Sequence, residues 1–311
     1  MDLRQLDYFV HVAELGSFSR AATLLSIAQS ALSARVRRLE VELKQPLLHR
    51  NGRGVTPTEA GKRLLQHARG ILMQVNRTRE DLDALRGVPT GRLVIGLPST
   101  IARLITVPWL KRFRAQFPGA TIGMMEGMSA YVTEWVSTGR ADIGLVFSPQ
   151  PSPAIEIAPL LEEAMFLVAP RGARLRAKAI ALRDLPRYPL VIPSRPNANR
   201  MQIEMRLGHL GLRPTIALEL DSIPSVLDAV REGYGYALLP PTSLRAFASQ
   251  DLMVRPVVRP KLLIQIALVV SAQRPTTPLA QQALALLREV AGEALETDAA
   301  RRRAPAPGAS R

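Results

Sequence analysis

The sequence predicts two folding units of different class: an all-α module closed by a short hairpin and continued by one long helix, then a larger α/β unit in two parts. Three observations carry this reading. Residues 17–58 hold apolar positions at helical spacing on two short segments separated by a break. A helical pattern then runs unusually far, from Pro57 to about Arg86. Beyond residue 91, short apolar runs of strand length alternate with helical patterns.

In chain order, residues 3–14 put Leu3, Leu6, Phe9, Val10 and Ala13 on one face of a first helix, with Asp2, Asp7 and Glu14 on its solvated side. Ser17 can cap a second helix, in which Phe18, Ala21, Ala22, Leu24 and Leu25 share a face. After a break at residues 26–28, Leu32, Val36, Leu39 and Leu43 form one stripe of a third helix. Helical advance from Leu32 points Ser30, Ser33, Ala34 and Arg37 away from that stripe and leaves Arg38 on its flank. Small residues allow close backbone approach and arginine reaches guanine edges or phosphates, so this face suits a DNA major groove. A merely solvated face is the alternative, and local charge decides between them. Residues 15–58 hold Arg20, Arg35, Arg37, Arg38, Lys44, Arg50 and Arg53 against only Glu40 and Glu42, an excess that favours a polyanion.

After Pro46, Leu47 and Leu48 lead into HRNGRGVTPT, where Asn51-Gly52 signals a tight turn and hence a two-stranded wing. Arg50 and Arg53 flank the turn, placed for phosphate or the minor groove. Thr56 reads as the N-cap of the long helix, with Pro57 its first residue and Glu59 completing a capping box. Along that helix Leu64, Leu65, Ala68, Ile71, Leu72, Val75, Leu82 and Leu85 make a stripe too long for its own small domain to cover. A self-paired helix is expected, giving a dimer whose two-fold axis matches paired DNA half-sites. Packing on its own C-terminal domain is the alternative.

Gly87 to Gly91 reads as a hinge. Strands are then expected at 92–98, 120–126 and 141–147, with helices at 101–117 and 131–137, a largely parallel α/β arrangement. Two apolar runs follow within 155–170 around Glu162-Glu163, taken as solvated acids. A second α/β cluster has strands at 190–193, 216–220 and 236–239, and helices near 198–210 and 222–231. Gly233-Tyr234-Gly235 reads as a tight turn before a strand. A strand at 262–270 and a helix at 277–294 close the fold.

The N-terminal residues resemble the DNA-binding domain of LysR-type transcriptional regulators. The family pattern AAxxLxxxQxAxSxxxxxLExxL, then LLxR, then a TPxG-like helix entry is met by Ala21-Ala22, Leu25, Gln29, Ala31, Ser33, Leu39-Glu40, Leu43, Leu47-Leu48, Arg50 and Thr56-Pro57 through Gly61. The segments IAQSALS and RGVTPTEAGK are particularly similar to the nitrogen assimilation control branch. Ser30 departs from the proline usual after Gln29, losing a pre-set φ and gaining a hydroxyl that can reach phosphate. GRLVIGLPS, GRADIGLV, LRDL and VREGYGYALLP resemble landmarks of the family's effector domain, so the likeness covers residues 1–295.

The resemblance implies a two-subdomain α/β effector domain like type 2 periplasmic binding proteins, with crossover strands near 160–165 and 262–266 and a ligand cleft between the lobes. The chain is thus expected to divide into a winged helix-turn-helix domain at 1–58, a linker helix and hinge at 59–90, an effector domain at 91–300 and a disordered tail at 301–311. Gln29, Ser30, Ser33, Ala34, Arg37, Arg38, Arg50, Arg53 and Thr56 form the expected DNA-contact set.

For the cleft, strand-to-helix loops supply polar groups, and helix N-termini attract anions. Ser99, Thr100, Ser129, Phe147, Ser148, Asn197 and Asn199 are the expected effector contacts, each weighed against an ordinary cap or loop residue. Met124, Met125 and Met128 are candidates for an apolar wall. The nitrogen-assimilation likeness leaves a second possibility open, control by protein abundance with no ligand.

Composition bounds the rest. A chain of 311 residues with 47% hydrophobic content can bury more than one core. Net charge is +15, divided between fourteen bases against nine acids up to residue 90 and twenty-seven against seventeen beyond. Whole-chain charge is therefore weaker evidence than its clustering in the helix-turn-helix. No transmembrane-length apolar run or secretory h-region occurs, so a cytoplasmic protein is expected. Without cysteine there is no disulfide, thiol nucleophile or thiolate metal site. His11, His49, His67 and His209 have no metal-ligand spacing, and no nucleophile elbow, P-loop or dinucleotide fingerprint is present. No cofactor or metal and no enzymatic activity are expected. The expected partners are double-stranded promoter DNA and further copies of the chain, as homodimer or homotetramer, with RNA polymerase and a small organic effector as candidates. The competing class is a solute-binding protein or enzyme built on the C-terminal half.

Overall fold

The computed structural model describes residues 1–51, 54–84, 90–173, 175, 177–247 and 251–301. The chain forms two units, the first Met1–Gly87 with Thr138–Arg140 and the second Val88–Ser137 with Ala141–Arg311. In the first, α1 (Leu3–Leu15) begins at a capping box: the Gln5 amide donates to the Asp2 carboxylate at 2.7 Å and the Asp2 amide donates to the Gln5 side chain at 2.8 Å. Gly16, left-handed at φ 61°, ends it. The Ser17 hydroxyl accepts from the Arg20 amide and starts α2 (Phe18–Leu25), which Ser26 ends. α3 (Gln29–Leu43) follows.

Phe9, Val12, Phe18, Ala21, Ala22, Leu32, Val36 and Leu39 form the core of this unit with Leu47 and Leu48. Leu24 and Leu3, expected on buried faces, are 63% and 41% exposed. The arcs of α2 and α1 that meet their neighbours are already filled by Phe18, Ala21 and Ala22 and by Leu6, Phe9 and Val12.

The wing is β1 (Leu48–Asn51) paired antiparallel with β2 (Gly54–Pro57), Asn51 opposite Gly54. Gly52 and Arg53 lie outside the described residues. The Val55 amide donates to the Gly16 carbonyl at 3.0 Å and ties the wing to the turn after α1. The long helix α4 (Glu59–Ala84) starts later than the sequence suggested. Pairing continues through Pro57, so Thr56 is a strand residue and Thr58 is the cap, its hydroxyl accepting from the Gly61 amide at 3.0 Å and donating to the Pro46 carbonyl at 2.7 Å. In α4, Ala68 packs with Leu64, Leu65 and Leu72 against Leu6 and Val10 of α1. Further along, Ile71 and Leu82 are exposed. Leu85 and most of the hinge lie outside the described residues.

The second unit opens with β3 (Gly91–Leu97), α5 (Ser99–Gln116), β4 (Ala120–Glu126), α6 (Ser129–Thr138), β5 (Ile143–Phe147) and β6 (Ile155–Ala164). Every residue of β5 is buried, as a central strand covered on both faces requires. The chain then builds β7 (Phe166–Ala169), β8 (Ile180–Ala181), a 3₁₀ turn at Leu182–Arg187, β9 (Leu190–Ile192), α7 (Ala198–Gly208), β10 (Ile216–Glu219), α8 (Ile223–Arg231), β11 (Ala237–Leu239), α9 (Pro241–Ala246) and β12 (Met253–Val258). It returns through β13 (Leu263–Ser271) and ends in α10 (Pro278–Arg301). Arg301 therefore belongs to a helix rather than to the expected tail, and residues 302–311 lie outside the described ones.

One sheet has the order β4-β3-β5-β13-β6, with β3 parallel to β4 and β5, and β13 antiparallel to both its neighbours. Its core includes Trp109 and Phe113 of α5 and Phe117 just after it, with stacked Trp109 and Phe113 rings 4.6 Å apart. The other subdomain carries the sheet β11-β7-β12-β8 and the parallel pair β9-β10. The chain passes between subdomains twice, from β6 to β7 through Met165 and from β12 to β13. Glu163, expected to be solvated, is 9% exposed and accepts a hydrogen bond from the Thr242 hydroxyl, because the β6 crossing lies under α9.

Candidate nucleic-acid interface and effector cleft

The buried stripe Leu32, Val36 and Leu39 fixes the rotation of α3 and leaves Gln29, Ser30, Ala34, Arg37 and Arg38 exposed along its outer side. The backbone at Ala28 starts this helix with no side-chain cap, so its N-terminal amides are open to an anion. Thr56 is exposed on β2. Two of the expected contacts are occupied within the fold. The Arg50 guanidinium lies 4.7 Å from the centre of the Phe18 ring, donates to the Ser33 hydroxyl at 3.1 Å and approaches the Glu40 carboxylate at 3.6 Å. Arg50 thus braces the wing against α2 and α3, and Ser33 lies half-buried beside it.

Glu40, which the charge count treated only as an acid, holds the turn after α3 to that helix. Its Oε1 accepts from the Leu47 amide at 2.9 Å and the Leu48 amide at 3.2 Å. The Leu39-Glu40 pair in the motif was the available signal, one residue for the core and one for the turn.

Six of the seven expected effector contacts line a single cavity of about 240 Å³: Ser99, Thr100, Ser129, Phe147, Asn197 and Asn199. Ser99 and Thr100 begin α5 directly after β3, Ser129 begins α6 after β4, and Asn197 and Asn199 belong to the start of α7. The seventh, Ser148, is not among the lining residues. Its amide donates to the Gln265 carbonyl at 2.7 Å and its hydroxyl accepts from the Gln265 amide at 3.3 Å, extending the β5–β13 ladder.

Two of the six are structurally engaged: the Ser129 hydroxyl accepts from the Phe147 amide at 3.0 Å, and Asn197 caps α7 by accepting from the Asn199 and Arg200 amides. Met128 lines the cavity, whereas Met124 and Met125 belong to β4 and do not. The sequence reading missed Glu126, Asp221 and Ser243 in the lining. The Ser194 hydroxyl and amide, donating to Asp221 at 2.5 and 2.8 Å, hold its carboxyl below the ordinary aspartate range.

Comparison with known proteins matches both units at the level of the domain. Residues 3–62 match the model of the bacterial regulatory helix-turn-helix protein, lysR family, and residues 86–292 match the LysR substrate binding domain. The nitrogen assimilation regulatory protein nac of Escherichia coli is 34% identical over 296 residues, 93% of this chain and 95% of that protein. Its Klebsiella aerogenes counterpart is 33% identical over 90% of this chain and 92% of its own length. A full-length OxyR variant from Pseudomonas aeruginosa shares the fold at a TM-score of 0.73 and 22% identity, covering 94% of each chain. Full-length CbnR complexed with its target DNA aligns at a TM-score of 0.67 and 25% identity, over 93% of this chain and all of that one. With its helix-turn-helix and its effector unit matched in sequence order, this chain belongs to the LysR family of bacterial transcriptional regulators.

Proposed function

We propose that this protein binds promoter DNA sequence-specifically, inserting α3 into the major groove as a dimer or a dimer of dimers, and that a small molecule in the 240 Å³ cavity modulates it. It would act in the cytoplasm, and among the described residues no helix is long and apolar enough to cross a membrane. The observation that carries the proposal is the α3 surface: a firmly buried stripe on one side, and Ser30, Ala34, Arg37 and Arg38 exposed on the other. The exposed Ile71 and Leu82 of α4 supply an apolar surface for pairing with a second copy. The two-fold symmetry of such a pair predicts paired half-sites.

Selection of genomic fragments on the purified protein, followed by footprinting, tests this reading. A two-fold site is expected, with affinity falling steeply with salt as roughly 6–10 phosphate contacts require. Failure to retain any upstream fragment at modest ionic strength would overturn it. The effector part of the proposal fails if filling the cavity leaves target transcription unchanged, and control by protein abundance alone is then the reading that remains.

A further inference from the structure

The cavity lining has a charge balance that narrows what it can hold. Of the polar side chains around it, Glu126 and Asp221 are carboxylates, and no lysine or arginine among the described residues lines it. Neighbouring cations are turned elsewhere. Arg200 is 6% exposed and bonds to Glu204, Glu219 and the Pro193 carbonyl, Arg195 pairs with Glu204, and Arg103 donates to the Ala246 carbonyl. Arg245 of α9 has Nε and Nη2 buried without a partner but is not among the lining residues.

Several lining groups also lack hydrogen bonds that a guest would supply. Thr100 is 4% exposed and Ser243 1%, and neither hydroxyl makes a hydrogen bond among the described residues. Asn199 Oδ1 is buried with no donor. Glu126 makes no ion pair among the described residues, and both Ser194 bonds to Asp221 fall on Oδ1, leaving Oδ2 available. Of these acceptors Asn199 Oδ1 is buried, where a missing donor is costly, and the Glu126 and Asp221 carboxylates are exposed residues of the lining that an N–H donor of a guest can reach. At the opposite polarity, α5 has no side-chain cap and no acid in its first turn, and its first backbone bonds are those of Ile101 and Ala102 to the Pro98 carbonyl. The amides of Ser99 and Thr100 are thus open to an anion. The volume of about 240 Å³ lies below that of sites for drug-sized ligands, roughly 300–1,000 Å³.

We infer that the cleft takes a small zwitterion of amino-acid type, its protonated amine meeting Asn199 Oδ1 and the Glu126 and Asp221 carboxylates, and its carboxylate meeting the open amides of α5. This inference rests on the effector reading of the cavity given above. Glu126 is the specificity residue, because a carboxylate at that place rejects simple organic acids.

The test uses full-length protein in thermal-shift and calorimetric titrations with the twenty standard amino acids, each beside the carboxylic acid that lacks its amine. At least one amino acid is expected to raise the melting temperature while its deaminated partner does not. Glu126→Gln should weaken that amino acid about tenfold, as loss of one charge-assisted hydrogen bond does, and Glu126→Lys should move preference toward the deaminated acid. Should deaminated acids bind as well as amino acids, or Glu126→Gln leave both unchanged, the charge inference is overturned while the cavity remains an effector site. Binding of neither set also overturns it. In that event, a Thr100→Trp variant that fills the cavity decides the broader reading, which falls too if promoter binding and target transcription are unaltered.

Discussion

Arg50 and Ser33 show how one side chain changes the meaning of another. The outward direction of Ser33 on α3 suggested a base-reading hydroxyl, yet that hydroxyl accepts from Arg50, which also stacks on Phe18. Arg50→Ala is therefore expected to lower the stability of the helix-turn-helix by about 1–2 kcal/mol, from lost cation–π and hydrogen-bond terms, measured by urea unfolding of the full chain. Arg37 makes no comparable contact among the described residues, so Arg37→Ala should leave unfolding unchanged and weaken the preferred site by roughly 1–3 kcal/mol relative to its variants, read from competition binding.

Glu204 carries the expected pH dependence of the second unit. Burial pushes its carboxyl up, but hydrogen bonds from Arg200 and Arg195 outweigh this and bring it below the ordinary glutamate range. A lowered folded pKa contributes stability that is present above the ordinary glutamate range and disappears as pH falls through the lower folded value. Denaturant melts should lose stability on acidification from pH 5, and Glu204→Gln should flatten that slope.

Among elements, the start of α4 is the most instructive boundary. Thr56-Pro57 resembles a cap with proline at the first helical position, but the wing register takes Pro57 as the partner of Leu48 and passes the cap to Thr58. Cross-strand pairing is a long-range fact that a local cap motif does not contain. The same seam explains Gly61, where a Cβ would lie 2.0 Å from the Leu47 carbonyl oxygen. Gly61→Ala must push the wing and α4 apart, and a loss of about 2 kcal/mol or more is expected, visible as a lower melting temperature and weaker DNA binding.

Periodicity made the larger elements legible. Leu32, Val36 and Leu39 predict the rotation of α3, and the wholly apolar β5 predicts a strand covered on both faces. The cavity was legible through its strand-to-helix loops, which is why Ser99, Thr100, Ser129, Asn197 and Asn199 were found. Glu126, Asp221 and Ser243 were missed because the last residue of β4, a loop residue after β10 and a residue of α9 share no local motif, and only the approach of two subdomains brings them together. Glu163 escaped for the converse reason: its burial comes from α9, nearly eighty residues away.

For the whole molecule, oligomerisation and salt response belong together. An α4 that pairs with a second copy through Ile71 and Leu82 doubles the number of α3 helices meeting one duplex. Leu82→Glu, a change at a 60% exposed position, is expected to leave the fold intact and to halve the mass seen in sedimentation. Affinity for a two-fold promoter site should then fall, with about half the salt slope of the parent protein. An unchanged sedimentation profile would reassign that surface.

The route of the chain through the second unit has an engineering consequence. Ala164, where the backbone leaves the five-stranded sheet, is registered directly against Leu263, where it comes back. Facing residues of an antiparallel pair stand only about 5 Å apart, so residues 165–262 form a removable insert whose two stumps a tight β-turn can join. A shortened chain lacking them should retain the secondary structure of β3–β6, β13, α5, α6 and α10 in circular dichroism. Such a minimal lobe would also provide a half-receptor for grafting foreign recognition modules, once the core residues it shares with the removed part are made polar.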